Sequence, residues 1–143
     1  MPYKNILIAV DSSKESKKAF ERALQLSKEN SASLTVAHVV DFPIYSDYKP
    51  YDTQIIDLAK ESADDLLSNL KKEAIASGLP DIEIIVKTGS AKRELIKQII
   101  PDVKPDLIIL GATGTNALER VLVGSVSEYI IRNAPCDVLV VRN

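Results

Sequence analysis

The residues best suited to chemistry lie late in the chain, where Gly111-Ala112-Thr113-Gly114 is followed, after nine residues, by Gly124-Ser125. Gly111 ends the apolar run Leu107-Ile108-Ile109-Leu110, and Ser125 and Glu128 have the spacing of a capping box that opens a helix. The stretch therefore reads as a strand end, a glycine turn, a loop, and a second glycine at a helix N-terminus. Glycine lets backbone N–H groups approach a ligand closely. A helix N-terminus adds unpaired donors and about half a positive charge, which together suit phosphate. Taken singly, the glycines are ordinary turn residues and Ser125 an ordinary cap. Their conjunction at the carboxyl end of an apolar strand points to the phosphates of a nucleotide. The pattern is not a Walker A loop, since no Gly-Lys-Ser/Thr follows, and it is not the G-x-G-x-x-G dinucleotide fingerprint.

Other polar residues carry weaker signals. Asp11 closes the apolar run Ile6-Leu7-Ile8-Ala9-Val10, and Asp41 closes a second run ending His38-Val39-Val40. His38, inside an apolar strand, reads as a hydrogen-bonded core histidine rather than a catalyst. Cys136 follows a proline and reads as a small buried thiol. Lys92 and Arg93 read as solvated, whereas Arg120 stands in the nine-residue spacer beside the proposed phosphates. Phosphoryl transfer needs a metal-held triphosphate and a group that orients the nucleophile. The glycine motif holds no lysine, and Asp11 and Asp41 are the only acidic residues suggested for magnesium. Neither His-x-Gly-His nor Ser-Gly-Gly-x-Asp-Ser, motifs of adenylylating α/β folds, occurs. No catalytic residue is named and metal ligands are unassigned, so the expectation is a binding module.

These residues need a scaffold that brings strand ends together, and the hydropathy pattern supplies one. Ile6–Val10, Leu34–Val40, Ile82–Val86, Leu107–Leu110 and Val138–Val141 are apolar runs of strand length, as expected for strands covered on both faces. Ser12 and Glu15 predict a helix start, with Phe20, Ala23, Leu24 and Ser27 on its inner face and an end near Asn30. Asp52 or Thr53 opens a long helix carrying Ile55, Ile56, Ala59, Ala63, Leu66, Leu67, Leu70 and Ala74, stopped by Gly78. Ser90 opens a third helix ending near Pro101, and Ser125 a fourth running to about Asn133. Residues 42–52 read as a loop. Strands alternating with helices imply a parallel sheet with helices on both faces, one doubly wound domain, and a ligand crevice at the carboxyl ends of the strands.

Composition narrows the class of partner. The chain has 143 residues with 18 basic and 20 acidic side chains, a net charge of −2, no tryptophan and 5% aromatic residues. Its isoelectric point near 5.4 argues against nucleic acid as the main partner. No apolar stretch approaches a membrane span, and the first is too short for a signal-peptide core. One cysteine cannot form an internal disulfide. The expectation is a cytoplasmic protein that meets neither nucleic acid nor membrane.

On these motifs the chain resembles the universal stress protein (UspA) family in its ATP-binding branch. The resemblance rests on Gly111-x-x-Gly114, the nine-residue spacer and Gly124-Ser125, and on Ile6–Ser13, His38–Asp41 and Ala134–Val141. It implies one universal stress protein domain over residues 1–143. That domain is Rossmann-like, similar to the adenine nucleotide alpha hydrolases, with a five-stranded sheet in order 3-2-1-4-5. Carried over by position, Asp11 meets the adenosine, Val39 holds the adenine through its backbone, and Ala9 and Val10 line the base pocket. Gly111 and Gly114 wrap ribose and phosphates, while Gly124, Ser125, Val126 and Ser127 donate to phosphate oxygens. Thr113 departs from the family, where His or Arg is frequent. The implied ligand is ATP, ADP or AMP, with magnesium accompanying a triphosphate. The implied partner is a second copy, a homodimer through Val138–Val141. The function implied is a stress-response regulatory module with at most slow hydrolysis. A true ATPase or phosphotransferase, and a dimeric interaction module with a vestigial pocket, stand as the two alternatives.

Overall fold

The computed structural model describes residues 2–11, 14–41, 52–112 and 125–142. Thr113, Gly114, Arg120 and Gly124, residues 42–51 of the expected loop, Ser12 and Ser13 lie outside the described residues, as do the side chains of Asp41 and Ser125.

The five apolar runs form one all-parallel sheet of β1 (Asn5–Ala9), β2 (Ser33–Asp41), β3 (Ile82–Gly89), β4 (Leu107–Gly111) and β5 (Asp137–Val141). The order is β3-β2-β1-β4-β5, as the resemblance implies. Alternate residues of each strand feed two apolar layers, which is why the strands are continuously hydrophobic. Ile6, Ile8, Leu34, Val36 and Ile109 pack beneath α1 (Lys14–Asn30) and α2 (Asp52–Ala76). Leu7, Ala37, Val39, Ile108 and Leu110 pack on the opposite face against Leu95, Ile99, Ile100 and Ile130. Phe20, Ala23, Leu24 and Ser27 of α1 are buried, as their spacing predicts. Gly78, at φ +100°, lets Leu79 N–H reach back to the Ala74 carbonyl at 3.0 Å and stops α2.

The third helix is longer and less regular than its sequence suggests. It begins at α3 (Ala91–Glu94), capped by Ser90 Oγ accepting from Arg93 N–H. It passes through a π turn (Leu95–Ile99) and continues as α4 (Ile100–Val103), past the expected stop at Pro101. Proline has no N–H, and its ring strikes the carbonyl four residues back in a regular helix. The π turn makes the Ile100 N–H bond five residues back to Leu95, which relieves that conflict. The helix ends instead at Lys104, at φ +53°.

At the amino ends of the strands, Asp106 accepts from the N–H groups of Lys4 (2.8 Å) and Asn5 (3.0 Å). Asn5 Nδ2 donates to the Val103 carbonyl at 2.6 Å. This network ties α4 and β4 to β1 at the end of the sheet opposite the carboxyl ends of the strands.

Candidate functional site

β1 and β4 are neighbours in the middle of the sheet, but the helix after β1, α1, covers one face and the helix after β4, α5 (Ser125–Asn133), covers the other. The two chains diverge at their carboxyl ends and leave a crevice there, the position at which parallel sheets take ligands. A cavity of about 420 Å³ occupies it, within the range of roughly 300–1,000 Å³ typical of small-molecule sites.

Of the residues singled out in the sequence, the structure brings Ala9, Val10, Asp11, Val39, Gly111, Val126 and Ser127 to the wall of this cavity. The lining is mainly apolar, with Asp11 the one carboxylate on it among the described residues. Sequence reasoning left out Ser16, His38, Ala59, Ala91 and Leu95, which also line it. Ala59 lay on the inner stripe of α2, and Ala91 and Leu95 share a helical face, but core-facing and cavity-facing residues follow the same period.

Backbone geometry gives the cavity its polar edge. The register of β1 on β2 runs from Asn5 opposite Ser33 to Ala9 opposite Ala37. One more bond follows, from Val10 N–H to the Ala37 carbonyl at 2.8 Å. Residues of a parallel strand alternate the side to which they direct N–H and C=O. Ala37 faces β1, so Val39 does too, beyond the point where β1 has ended and the chain has turned toward α1. The Val39 peptide groups thus face the crevice, with one donor and one acceptor.

Gly111 has a packing reason to be glycine. A Cβ there would stand 2.8 Å from the Glu15 carbonyl carbon and oxygen and 3.0 Å from Ser16 N. The first turn of α1 sits directly on the end of β4, and only a residue without a side chain permits that approach. Ser16 is 4% exposed and accepts from the Asp11 N–H at 2.6 Å, so the same contact fixes Asp11 at the cavity rim. Ser127 is 2% exposed, with its hydroxyl 3.5 Å from the Gly111 carbonyl.

Lys92 and Cys136 take structural positions. Lys92 is half-buried with its ammonium 5.9 Å from the Tyr129 ring centre, a cation–π pair joining α3 to α5, while Arg93 is exposed. Cys136 is half-buried. Burial, with the Asp137 and Asp106 carboxylates behind it, pushes its thiol up and leaves it a poor nucleophile near neutral pH. Among the described residues, no group of three or more His, Cys, Asp or Glu is placed to hold a metal ion, and no helix is long and apolar enough to cross a membrane.

Comparison with known proteins agrees with this architecture. The model of the Universal stress protein family matches residues 2–142. A candidate universal stress protein of Staphylococcus aureus (strain USA300) is 48% identical over 140 residues, covering 98% of this chain and 84% of its own length. Among solved structures, the universal stress protein UspA from Lactobacillus plantarum superposes with a TM-score of 0.88 at 32% identity over 99% of both chains. A universal stress protein crystallised in complex with cAMP superposes with a TM-score of 0.68 at 27% identity, over 99% of this chain and 98% of its own.

Proposed function

The chain belongs to the universal stress protein family, and on that premise we propose that its crevice binds an adenine nucleotide, with ATP as the principal ligand. The observation that carries this reading is the outward-facing Val39 peptide at the edge of a largely apolar cavity. An N–H and a C=O side by side match the N1 acceptor and the N6 amino donor on one edge of adenine. The walls formed by Ala9, Val10 and Val126 suit the faces of the base. Asp11, at the mouth, is suited to a ribose hydroxyl. The cAMP-bound relative supports an adenine nucleotide in this fold.

The phosphates are assigned to the glycine motif and the α5 N-terminus, where Gly114, Gly124, Ser125, Val126 and Ser127 contribute backbone donors and hydroxyls, with Thr113 beside them. Magnesium would arrive on the oxygens of a triphosphate, since it is usually held by phosphates and one or two carboxylates. Among the described residues, Asp11 is the carboxylate on the cavity wall. The reading is a regulatory nucleotide-binding module of the cytoplasmic stress response, with hydrolysis at most slow. Its working form is a homodimer joined through β5.

Valine at Gly114 or Gly124 is expected to put a branched side chain in the phosphate path assigned to the glycine motif. Each variant is expected to melt close to the parent yet lose the stabilisation that ATP gives the parent. At a concentration a hundred times the dissociation constant, that stabilisation is about 2.7 kcal/mol. Equal ATP-induced shifts in parent and variants would move the phosphates elsewhere.

A further inference from the structure

The chain leaves the sheet at the Val10–Asp11 peptide, and the strand ladder no longer holds it there. Side chains from two other elements take over. The Val10 carbonyl is 2.6 Å from His38 Nδ1, and the Asp11 N–H donates to Ser16 Oγ at 2.6 Å. A carbonyl can only accept, so His38 carries its proton on Nδ1 and donates it. The peptide is thereby held at both ends, by β2 on one side and α1 on the other. His38 immediately precedes Val39, whose peptide groups face the crevice. One imidazole therefore ties together the two strand ends that flank the cavity, and both His38 and Ser16 line it.

We infer that His38 is a positioning residue of the nucleotide site. Through the Nδ1–H bond to the Val10 carbonyl it sets Asp11 at a fixed place against the open edge of Val39. The inference rests on the adenine-nucleotide reading above. It gives His38 a role through Val10 and Asp11, without contact to the ligand.

The decisive comparison is between His38→Leu and His38→Asn. Leucine removes the donor, whereas the asparagine Nδ2 lies the same number of bonds from the backbone as the histidine Nδ1. Two readouts are needed: exchange of the Asp11 amide in nucleotide-free protein, and ATP affinity by calorimetry. His38→Leu is expected to speed Asp11 exchange and weaken ATP about tenfold, the worth of one typical hydrogen bond. His38→Asn is expected to return affinity to within about threefold of the parent. Should His38→Leu fail to fold, Ser16→Ala releases the other end of the same peptide and is expected to weaken ATP comparably.

Leucine and asparagine variants equally weak would show that the ring, not its donor, matters, and would overturn the inference. So would a leucine variant, or Ser16→Ala in its place, that binds like the parent. A parent that binds no ATP, ADP or AMP would overturn the adenine-nucleotide reading and the positioning role with it. In a parent that binds, only the variants bear on His38.

Discussion

Alanine at Gly111 is expected to destabilise the protein by about 2–3 kcal/mol, and valine by more, at the upper end of what overpacking costs. The reason is the first turn of α1. The new Cβ would meet the Glu15 carbonyl group at 2.8 Å and Ser16 N at 3.0 Å, and these are backbone atoms of a helix that cannot rotate away as a side-chain tip would. Relief requires lifting α1 from β4, and α1 carries Ala19, Phe20, Ala23 and Leu24 of the main core. Domains of this kind are stable by about 5–15 kcal/mol in total, so the loss is a large fraction. Urea unfolding of Gly111→Ala and Gly111→Val should show falling midpoints at unchanged slope. Any folded remainder should bind ATP weakly, because Ser16 holds the Asp11 N–H and would move with α1. A Gly111→Ala midpoint equal to the parent's would contradict the close approach of α1.

Lysine at Val140 is expected to abolish dimerisation through β5. β5 pairs with β4 along one edge, and no other strand is paired with it among the described residues. Val138, Leu139, Val140 and Val141 are only half-buried, so among the described residues an apolar strand lies at the sheet edge, paired with β4 on one side alone. Such an edge pairs readily with another copy, and natural proteins that avoid this place lysine on it. Two β5 strands running antiparallel about a two-fold axis would bury each other's apolar surface. Light scattering should give the parent a mass twice 15.7 kDa and Val140→Lys the single-chain mass or aggregate. A monomeric parent, or a variant that stays dimeric, would contradict the β5 interface.

The fold was readable because its strands are buried on both faces. Runs such as Ile6–Val10 and Leu107–Leu110 admit few alternatives once glycines and caps mark the helices between them. Strand ends were read less well: β3 runs on to Gly89, three residues past Val86, because its residues keep pairing with β2 up to Asp41. The third helix also passed its expected stop, since local propensity places a boundary at Pro101 and a π turn removes it. The lining of the crevice was legible at the strand ends, where Ala9, Val10, Asp11, Val39 and Gly111 converge. His38 was expected to be hydrogen-bonded, as it is, but neither its partner Val10 nor the bond from the Asp11 N–H to Ser16 was legible. That relation between residues 28 and 5 positions apart exists only after folding.

The central claim is that this crevice holds an adenine nucleotide, and purified protein tests it most directly. The sample would be denatured, any released nucleotide identified by ion exchange, and the remaining native protein titrated with ATP, ADP and AMP while its melting temperature is followed. The account predicts either an adenine nucleotide in the supernatant or a saturable rise of several degrees with ATP, since about 2.7 kcal/mol at a hundred times the dissociation constant is a large shift for a domain of this size. An empty supernatant together with an unmoved melting temperature at millimolar concentrations of all three would contradict it.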